Sequence, residues 1–333
     1  SSKNILEINK DYTVSYNNTN LNAGNMVMTF TFMGGYTGTL TKKFKIAPVT
    51  KPASADFDFN DKFDDEIAGV PFVKGGAVLS EDALSSIKIR GIDAFIGDDY
   101  TVSYKNNKKP CNGTDKNAAT VVITGKGNFK FIETCTFTIL PQDMEDTAID
   151  VQVPNMISTG KTGGFNVIPI ITDTRSGMPL EKKDYTVKYL YGESKTVYNT
   201  KEKRGIQRKK GNPIDKNDVI IEDTKLCVRI TGNGANGFNG YREESYTAVN
   251  YDLSRLKVKV DDSGKYYTGE PVTVSNEDIT FTVPAGQPDI EFEILEHTYK
   301  NNIKKGTASV TVKGTGSYGG VKTITFKIGQ KRF

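Results

Sequence analysis

Apolar and polar residues alternate along short stretches of this chain, and clusters of Asn, Gly, Asp and Lys separate those stretches. In the run DYTVSY at 11–16 the Tyr, Val and Tyr are two positions apart, so they share one face of a strand while Thr and Ser take the other face. No stretch shows the sustained three- and four-residue apolar spacing of an amphipathic helix. The pattern predicts an all-β protein with little helix.

This run returns along the chain. Its copies are DYTVSYNN at 11–18, DYTVSYKNN at 99–107, DYTVKY at 184–189 and a divergent HTYKNN at 297–302. Each is followed by a Gly-rich turn and a strand ending in Phe-x-Ile or a close variant, at 35–46, 127–139, 237–249 and 316–328. One unit is thus strand, loop, strand, turn and strand, and it needs a second sheet to bury its apolar face. We predict tandem immunoglobulin-like β-sandwich modules arranged as an elongated rod.

The end of each last strand sets the predicted module boundaries, which fall at 1–48, 49–141, 142–249 and 250–333. Pro48, Pro52 and Pro141 lie at junctions, as expected of short and fairly stiff linkers. Only the ten residues before Asp11 precede the first motif. We therefore expect the first module to be partial, either lacking its leading strands or receiving them from a partner, with an open edge and an apolar face.

Composition narrows the class of protein. The 333 residues carry 44 basic and 40 acidic side chains, an excess too slight to predict nucleic-acid binding. No window holds the roughly 18 apolar residues of a membrane helix and no signal peptide is evident, so we expect no membrane insertion. The three cysteines form no C-x-x-C pair, which argues against zinc. Cys111 and Cys135 are a candidate disulfide across the second module, in which case Cys227 would be a buried free thiol.

The motifs that resemble catalytic or cofactor sites are explained by turns and strands. Two G-x-G-x-x-G matches, at 232–237 and 314–319, fall at the hairpin turn of the repeat and precede strands, whereas a dinucleotide site needs a following helix. His297, the only histidine, lies on a predicted strand, and no G-x-S-x-G accompanies it. We predict that the chain is not an enzyme and binds no cofactor.

An acidic run, DFDFND at 56–61, begins like a calcium-binding loop. Asp61 stands where that loop needs Gly, and Ile67 stands where it needs Glu. The alternation of Phe57 and Phe59 with the acids instead predicts a strand with a solvated acidic edge and no metal site. A weak cation held near 64–66 is the alternative.

The third module carries a long insertion. From the last motif Tyr to the aromatic residue of the turn, the first, second and fourth modules take 20, 25 and 19 residues, whereas the third takes 49. We take 192–216 as the extra segment, a basic loop suited to a sialylated or sulfated glycan or to an acidic protein surface. A solvated excursion without a ligand is the alternative. The candidate ligand-binding residues are Tyr191, Lys195, Tyr198, Lys201, Lys203, Arg204, Arg208, Lys209 and Lys210.

The DYTVSY run, its G-x-G-N-aromatic turn and the closing F-x-I resemble the bacterial immunoglobulin-like repeats of large surface proteins in gut Firmicutes. The resemblance covers the second halves of all four modules and implies an extracellular, wall-attached or secreted protein of a Gram-positive bacterium, with neighbouring modules of a larger surface protein. It implies stalks, adhesins or spacers, and no shared catalytic residues.

Three functions follow from these expectations. The leading one is a surface adhesin or stalk that contacts host or extracellular ligands, either protein or glycan. The second is a carbohydrate-binding appendage of a secreted glycosidase, which the absence of Trp disfavours although 16 Tyr remain. The third is a host-protein binder, for example one that captures immunoglobulin through a sheet edge or a flat face.

Overall fold

The computed structural model describes residues 5–17, 22–50 and 52–330. Asn18, which closes the first predicted motif copy, and the terminal residues Ser1 and Phe333 lie outside the described residues. The chain divides into two compact units. The first comprises Ser1–Phe72 and Gly76–Leu140, and the second comprises Val73–Gly75 and Pro141–Phe333. As predicted, strands dominate both units.

The first unit contains thirteen of the described strands. They are β1 (Tyr12–Tyr16), β2 (Gly24–Phe32), β3 (Thr39–Ile46), β4 (Val49–Thr50), β5 (Phe57–Asp58), β6 (Val70–Pro71), β7 (Ser86–Ile89), β8 (Ile92–Phe95), β9 (Tyr100–Lys105), β10 (Ala119–Gly125), β11 (Phe129–Lys130), β12 (Ile132–Phe137) and β13 (Ile139–Leu140). The three-stranded sheets have the orders β1-β2-β3, β12-β10-β9 and β5-β7-β8, and β4 and β6 pair with β11 and β13. Helices α1 (Asp61–Ala68) and α2 (Glu81–Leu84) and a 3-10 turn (Ser54–Asp56) complete this unit.

The core of the first unit lies between its second and third sheets. Tyr100, Ile123 and Phe137 from the β12-β10-β9 sheet are fully buried, as are Ile87 and Ile89 of β7. The alternation of apolar and polar positions along these strands therefore turns one face of each sheet inward, as the sequence pattern predicts.

The acidic run in this unit departs from the strand that we predicted. Only Phe57–Asp58 is extended, and helix α1 begins at Asp61. The side chain of Asn60 accepts a hydrogen bond from the Phe63 N–H at 2.8 Å, which caps the helix. The rings of Phe59 and Phe63 stack with centroids 4.0 Å apart, so the helix packs its aromatic side inward. The helix cap at Asn60 and the stacked rings of Phe59 and Phe63 therefore favour a helix here, although the alternation of Phe57 and Phe59 with acidic residues predicts a strand.

The second unit contains the remaining described strands. They are β14 (Gln142–Asp143), β15 (Ile149–Gln152), β16 (Met156–Ile157), β17 (Ile170–Asp173), β18 (Met178–Pro179), β19 (Tyr185–Tyr191), β20 (Lys195–Asn199), β21 (Arg204–Arg208), β22 (Lys225–Gly232), β23 (Phe238–Asn239), β24 (Tyr241–Val249), β25 (Tyr251–Asp252), β26 (Lys257–Val260), β27 (Ile279–Thr282), β28 (Phe292–Lys300), β29 (Gly306–Gly314), β30 (Tyr318–Gly319) and β31 (Val321–Ile328). Its larger sheets have the orders β16-β24-β22-β19, β15-β17-β18 and β28-β29-β31, and β20 pairs with β21 and β26 with β27. Three further 3-10 turns are Gly234–Asn236, Leu253–Arg255 and Asn276–Asp278.

The aspartate that opens the repeated motif has one structural role in three copies. Its carboxylate accepts the backbone N–H of a residue three or four positions earlier, which closes the turn before the strand. The pairs are Glu7 to Asp11 at 2.9 Å, Phe95 to Asp99 at 3.1 Å and Glu181 to Asp184 at 2.7 Å. Its carbonyl in turn accepts an N–H from Met33, Lys126 or Asn233 beside the Gly-rich turn. The motif is therefore explained by folding.

The fourth copy of the motif begins earlier than predicted. Glu291 takes the position of the aspartate, because its carbonyl accepts the Thr315 N–H at 3.0 Å. Phe292 pairs with Gly314 just as Tyr100 pairs with Gly125. From Leu295 to Lys300 the strand takes five steps while its partner takes two, so three extra residues form a β-bulge. This insertion hides the start of the copy in the sequence.

Each junction between repeats uses the same backbone pairing. Just after the last long strand of one repeat, two residues form a short strand. This short strand pairs in parallel with the two-residue strand that follows the Gly-rich turn of the next repeat. The pairs are β4 with β11, β14 with β23, and β25 with β30.

The division of the chain into four modules stays a prediction. The described residues before Val49 form the single sheet β1-β2-β3, on which Leu40 and Phe44 are 49% and 39% exposed.

Candidate functional site

The insertion predicted as a loop is a β-hairpin. Strands β20 and β21 pair over five residues, from Lys195 opposite Arg208 to Asn199 opposite Arg204. Single bridges at Leu190–Pro213 and Asn199–Asp218 join the segment to the residues around it. Because side chains alternate along a strand, the hairpin has an inner face and an outer face. The two faces divide the predicted binding residues into two groups.

The inner face is organised around Asp218, a buried carboxylate with no exposed surface. Arg208 donates to both of its oxygens, with Nε to Oδ2 at 2.9 Å and Nη2 to Oδ1 at 2.8 Å. The Tyr191 hydroxyl donates to Oδ2 at 2.8 Å, and the Asn199 amide donates to Oδ1 at 2.8 Å. Four donors fill the acceptor sites of the carboxylate. The charge is therefore buried, paired and fully hydrogen-bonded, which makes the cluster an anchor for the hairpin.

Electrostatics within the anchor are consistent with this role. Burial raises the pKa of Asp218, but hydrogen bonds from Arg208, Asn199 and Tyr191 outweigh it and hold that pKa below its usual range. Burial, together with the hydrogen bond to Asp218, raises the pKa of the Tyr191 hydroxyl far above its usual range. The carboxylate therefore stays ionised and the phenol stays neutral at physiological pH.

Asn199 extends the anchor to the turn of the hairpin. Its side-chain oxygen accepts the backbone N–H groups of Lys201 and Glu202 at 3.1 and 3.0 Å. Lys203 adopts a left-handed conformation with φ of 54°, which closes the turn. The turn is thus held from inside, although every one of its residues from Thr200 to Arg204 is exposed.

The exposed end of the hairpin carries a group that we call the hairpin tip. It consists of Tyr198 on the outer face, Lys201 and Lys203 in the turn, and Arg204, which is exposed at the start of β21 opposite Asn199. Tyr198 is 51% exposed and lies opposite Gly205, so no side chain covers its ring from the neighbouring strand. Segment 192–216 carries eight basic and three acidic residues, whereas the whole chain has a net charge of +4. The hairpin therefore concentrates positive charge beside an exposed aromatic ring.

Not every predicted binding residue belongs to this tip. Tyr191 and Arg208 face Asp218 and are structural, which corrects our assignment of both as ligand contacts. The Lys195 ammonium donates to the Thr224 hydroxyl at 3.1 Å and lies on the same inner face. Lys209 and Lys210 are exposed but lie at the other end of β21, roughly 17 Å from Arg204 along an extended strand. Asp218 and Asn199, which hold the hairpin, were not identified because no local pattern marks a long-range acceptor.

The predicted disulfide is not formed, since Cys111, Cys135 and Cys227 are all free thiols. Cys111 bridges to Ile139, a position that lies roughly 13 Å of extended chain beyond Cys135. A disulfide needs α-carbons within about 7 Å. Burial raises the pKa of Cys135 to about 11 and also raises that of Cys227, so these thiols are weak nucleophiles.

The remaining motifs have structural explanations. The glycines of both G-x-G-x-x-G matches form hairpin turns, with Gly237 and Gly316 at φ of 101° and 57°, which confirms the turn interpretation. A Cβ on Gly232 would approach the Phe238 backbone to 2.7 Å, so this position needs glycine. In the acidic run, Asp56 accepts the Ala53 N–H at 2.7 Å and Arg90 Nε at 3.1 Å.

His297 lies in the β-bulge of β28, where it is exposed and lines a groove of about 690 Å³ with Glu293 and Glu296. We predicted its strand but not the bulge. Among the described residues, no cluster of three or more His, Cys, Asp or Glu side chains is arranged to hold a metal ion. Within the same residues, no helix is long and apolar enough to span a membrane.

Comparisons with known proteins yield neither a matching family model nor a matching curated protein. Among solved structures, the chain is similar to a protocadherin gammaB7 EC3-6 cis dimer at 10% identity and a TM-score of 0.21, covering 93% of this chain and 85% of that one. It is also similar to the extracellular cadherin domains 3–6 of protocadherin gamma B2, at 9% identity and a TM-score of 0.20, covering 92% and 84%. Since these TM-scores are low, the fold assignment rests on the strands described above.

Proposed function

We propose that this chain is an extracellular, non-enzymatic part of a bacterial surface adhesin or stalk, and that the hairpin tip contacts its ligand. The repeated β modules support a role in spacing and presentation, and the resemblance of the DYTVSY repeats to those of Firmicutes surface proteins supports a Gram-positive source. The proposed ligand is an acidic host or extracellular surface, either protein or glycan.

One observation carries this proposal, namely that an exposed, charged tip stands on a buried, fully hydrogen-bonded anchor. Tyr and Arg are among the residue types most enriched in the hot spots of protein interfaces, since both bury large areas while keeping polar contacts. A held turn loses little conformational entropy on binding. The Asp218 anchor therefore supports a rigid tip, whereas a solvated excursion needs no such buried charge.

The test is a pull-down from mucus and serum with immobilised protein. The tip variant Y198A/K201Q/K203Q/R204Q leaves Asp218 and its donors unchanged. The matched control K209Q/K210Q alters exposed lysines of the same segment at the other end of β21. We expect the wild type and the control to retain a ligand that the tip variant loses. Equal retention by all three proteins would place binding elsewhere and contradict the proposal.

The retained ligand then separates the two kinds of acidic surface. Treatment of the mucus and serum with sialidase and sulfatase removes anionic sugar groups but leaves polypeptide surfaces intact. Loss of retention after this treatment identifies a glycan ligand, and survival of retention identifies a host protein such as an immunoglobulin. Both outcomes are compatible with an adhesin, because the proposal specifies an acidic ligand that binds the hairpin tip and includes both protein and glycan.

A further inference from the structure

A second basic feature lies in the first unit, in the connection between β9 and β10, residues 106–118. It begins in the same way as the connection between β28 and β29 in the fourth copy of the repeat. Asn106 and Asn301 both adopt a left-handed conformation, with φ of 56° and 58°. The amides of Asn107 and Asn302 donate to the carbonyls of Ala77 at 2.8 Å and Val272 at 3.3 Å. Each Asn-Asn pair is followed by lysines, at 108–109 and 304–305.

The two connections then differ. After Lys305 the fourth copy enters β29 at Gly306, whereas the second copy adds an arm, residues 110–117, before β10. The arm is pinned to the neighbouring strand, because the Ile139 N–H donates to the Cys111 carbonyl at 2.9 Å and the Gly113 N–H donates to the Thr138 hydroxyl at 3.0 Å. The arm also closes on itself, since Asp115 accepts the Asn112 N–H at 2.8 Å. Its position is therefore fixed by the fold.

The arm forms the second wall of a cavity of about 830 Å³. Its lining residues are Lys108, Lys109, Lys116, Asn106, Asn107, Asn117, Tyr104, Pro110, Cys111 and Asp115. Lys108, Lys109 and Lys116 are exposed, and none of them takes part in a salt bridge among the described residues. The one carboxylate of the lining, on Asp115, already accepts a backbone hydrogen bond. Three cations thus surround a space of the size that small ligands occupy.

We propose that this cavity binds an anionic saccharide, one that carries carboxylate or sulfate groups. Lysines from two walls form charge-assisted hydrogen bonds with such groups, and the side-chain amides both donate to and accept from sugar hydroxyls. Tyr104 is the single aromatic residue of this lining, and it is already engaged by the protein. The ring of Tyr104 meets that of Phe137 edge-on at 6.0 Å, and its hydroxyl accepts the Leu79 N–H at 3.1 Å. A ligand rich in hydroxyl and anionic groups therefore fits better than a base.

Isothermal titration calorimetry on the full chain tests this site, with a heparin-derived hexasaccharide and a sialylated trisaccharide as probes. The variant K108Q/K109Q/K116Q removes the three cations. In the fourth copy, which has no arm, the lysine pair follows Asn302 one position later than in the second copy, and the control K304Q/K305Q removes it. We expect the cavity variant to lose about tenfold or more in affinity for one of the probes, and the control to change it less than about twofold. Added salt should weaken binding to the wild type.

Several results would overturn the proposal. They are unchanged affinity in the cavity variant, an equal loss in the control, equal binding of desulfated or asialo probes, tighter binding of a single-stranded oligonucleotide, or no binding of either probe. The hairpin-tip variant separates this proposal from the proposed function, because it keeps all three cavity lysines and lacks the tip's charges. Probe binding that survives in the tip variant belongs to the cavity, whereas loss of probe binding in the tip variant would overturn the cavity proposal. Unchanged melting temperatures in the lysine variants will show that the fold is intact.

Discussion

Two arginine–carboxylate pairs in the second unit have similar contact distances and opposite surroundings. Arg208 contacts Asp218 at 2.8 Å, with side-chain exposures of 19% and 0%. Arg229 contacts Glu243 at 2.6 Å across β22 and β24, with exposures of 42% and 41%. Arg229 also lies over the ring of Tyr241, 4.8 Å from its centre.

The difference between the pairs lies in what happens when one partner is lost. Water solvates a charge exposed by removing Arg229 or Glu243, so that pair contributes little to folding. Asp218 is shielded from water, and removing it would leave the mostly buried Arg208 guanidinium with its charge unpaired in a site built around an anion. Burial, and not distance, thus turns a common ion pair into the anchor of the hairpin tip.

The largest effect is expected from Asp218→Ala, which leaves Arg208, Tyr191 and Asn199 without their shared acceptor. We expect a loss of about 3–5 kcal/mol in the free energy of unfolding, because breaking a buried pair leaves an uncompensated charge. Urea unfolding of the second-unit transition measures it. Glu243→Ala is the matched control on the exposed pair. An equal loss in the free energy of unfolding for both variants would show that Asp218 is not an anchor.

Acid should weaken the buried pair. Hydrogen bonds hold the pKa of Asp218 below its ordinary 3.8 in the folded protein, so the folded state favours the ionised form. This stabilisation is complete above the unfolded pKa and is lost as pH falls below about 4 toward the lowered value. We expect the melting temperature to fall over this range less steeply in Asp218→Ala than in the wild type. If the melting temperatures of the two proteins fell in parallel as the pH is lowered, Asp218 would not be the group that acid protonates here, and its role as the anchor would be contradicted.

Removing one donor should have a smaller effect than removing the acceptor. Tyr191→Phe deletes a hydroxyl that donates to an ionised carboxylate and leaves the other three hydrogen bonds in place. We expect a loss of about 1.5–3 kcal/mol in the free energy of unfolding, the usual range for hydrogen bonds to charged groups. Tyr198→Phe, on the outer face of the same hairpin, should leave this free energy unchanged. A neutral result for Tyr191→Phe would reduce the anchor to the arginine pair.

The smallest effect is expected at the exposed pair. Arg229→Ala should leave the melting temperature within the scatter of repeated measurements, because water replaces the lost contacts of Glu243. Differential scanning calorimetry at low and high salt is the measurement, and both conditions should agree. A clear loss of stability in Arg229→Ala would mean that contact with Tyr241 matters more than exposure suggests.

Much of the fold was predictable from the sequence because local rules govern it. The alternation of Tyr100, Val102 and Tyr104 requires a strand with one apolar face, and the Gly-rich turns require hairpins. Helix α1 was missed because its cap at Asn60 and its ring stack at Phe63 involve few residues. The start of the fourth motif copy was missed because three bulge residues displaced it, and only strand pairing reveals that shift.

The position of the candidate site in the chain was predictable from the sequence, but its internal arrangement was not. Charge and length marked segment 192–216, and both are properties of the sequence alone. Its division into an anchor and a tip was not predictable. Arg208 and Arg204 are the same residue type four positions apart, yet one meets a buried carboxylate while the other stays exposed.

The sequence by itself therefore determined the strand content, the repeat and the position of the basic insertion, since each depends on neighbours within a few residues. Tertiary structure alone decided that Tyr191 and Arg208 face inward, that Cys111 and Cys135 stay apart, and that lysines from two walls line one cavity. These facts depend on which distant residues come into contact. The physical reason is that a buried charge needs partners from wherever the fold supplies them, and a local pattern carries no record of that choice.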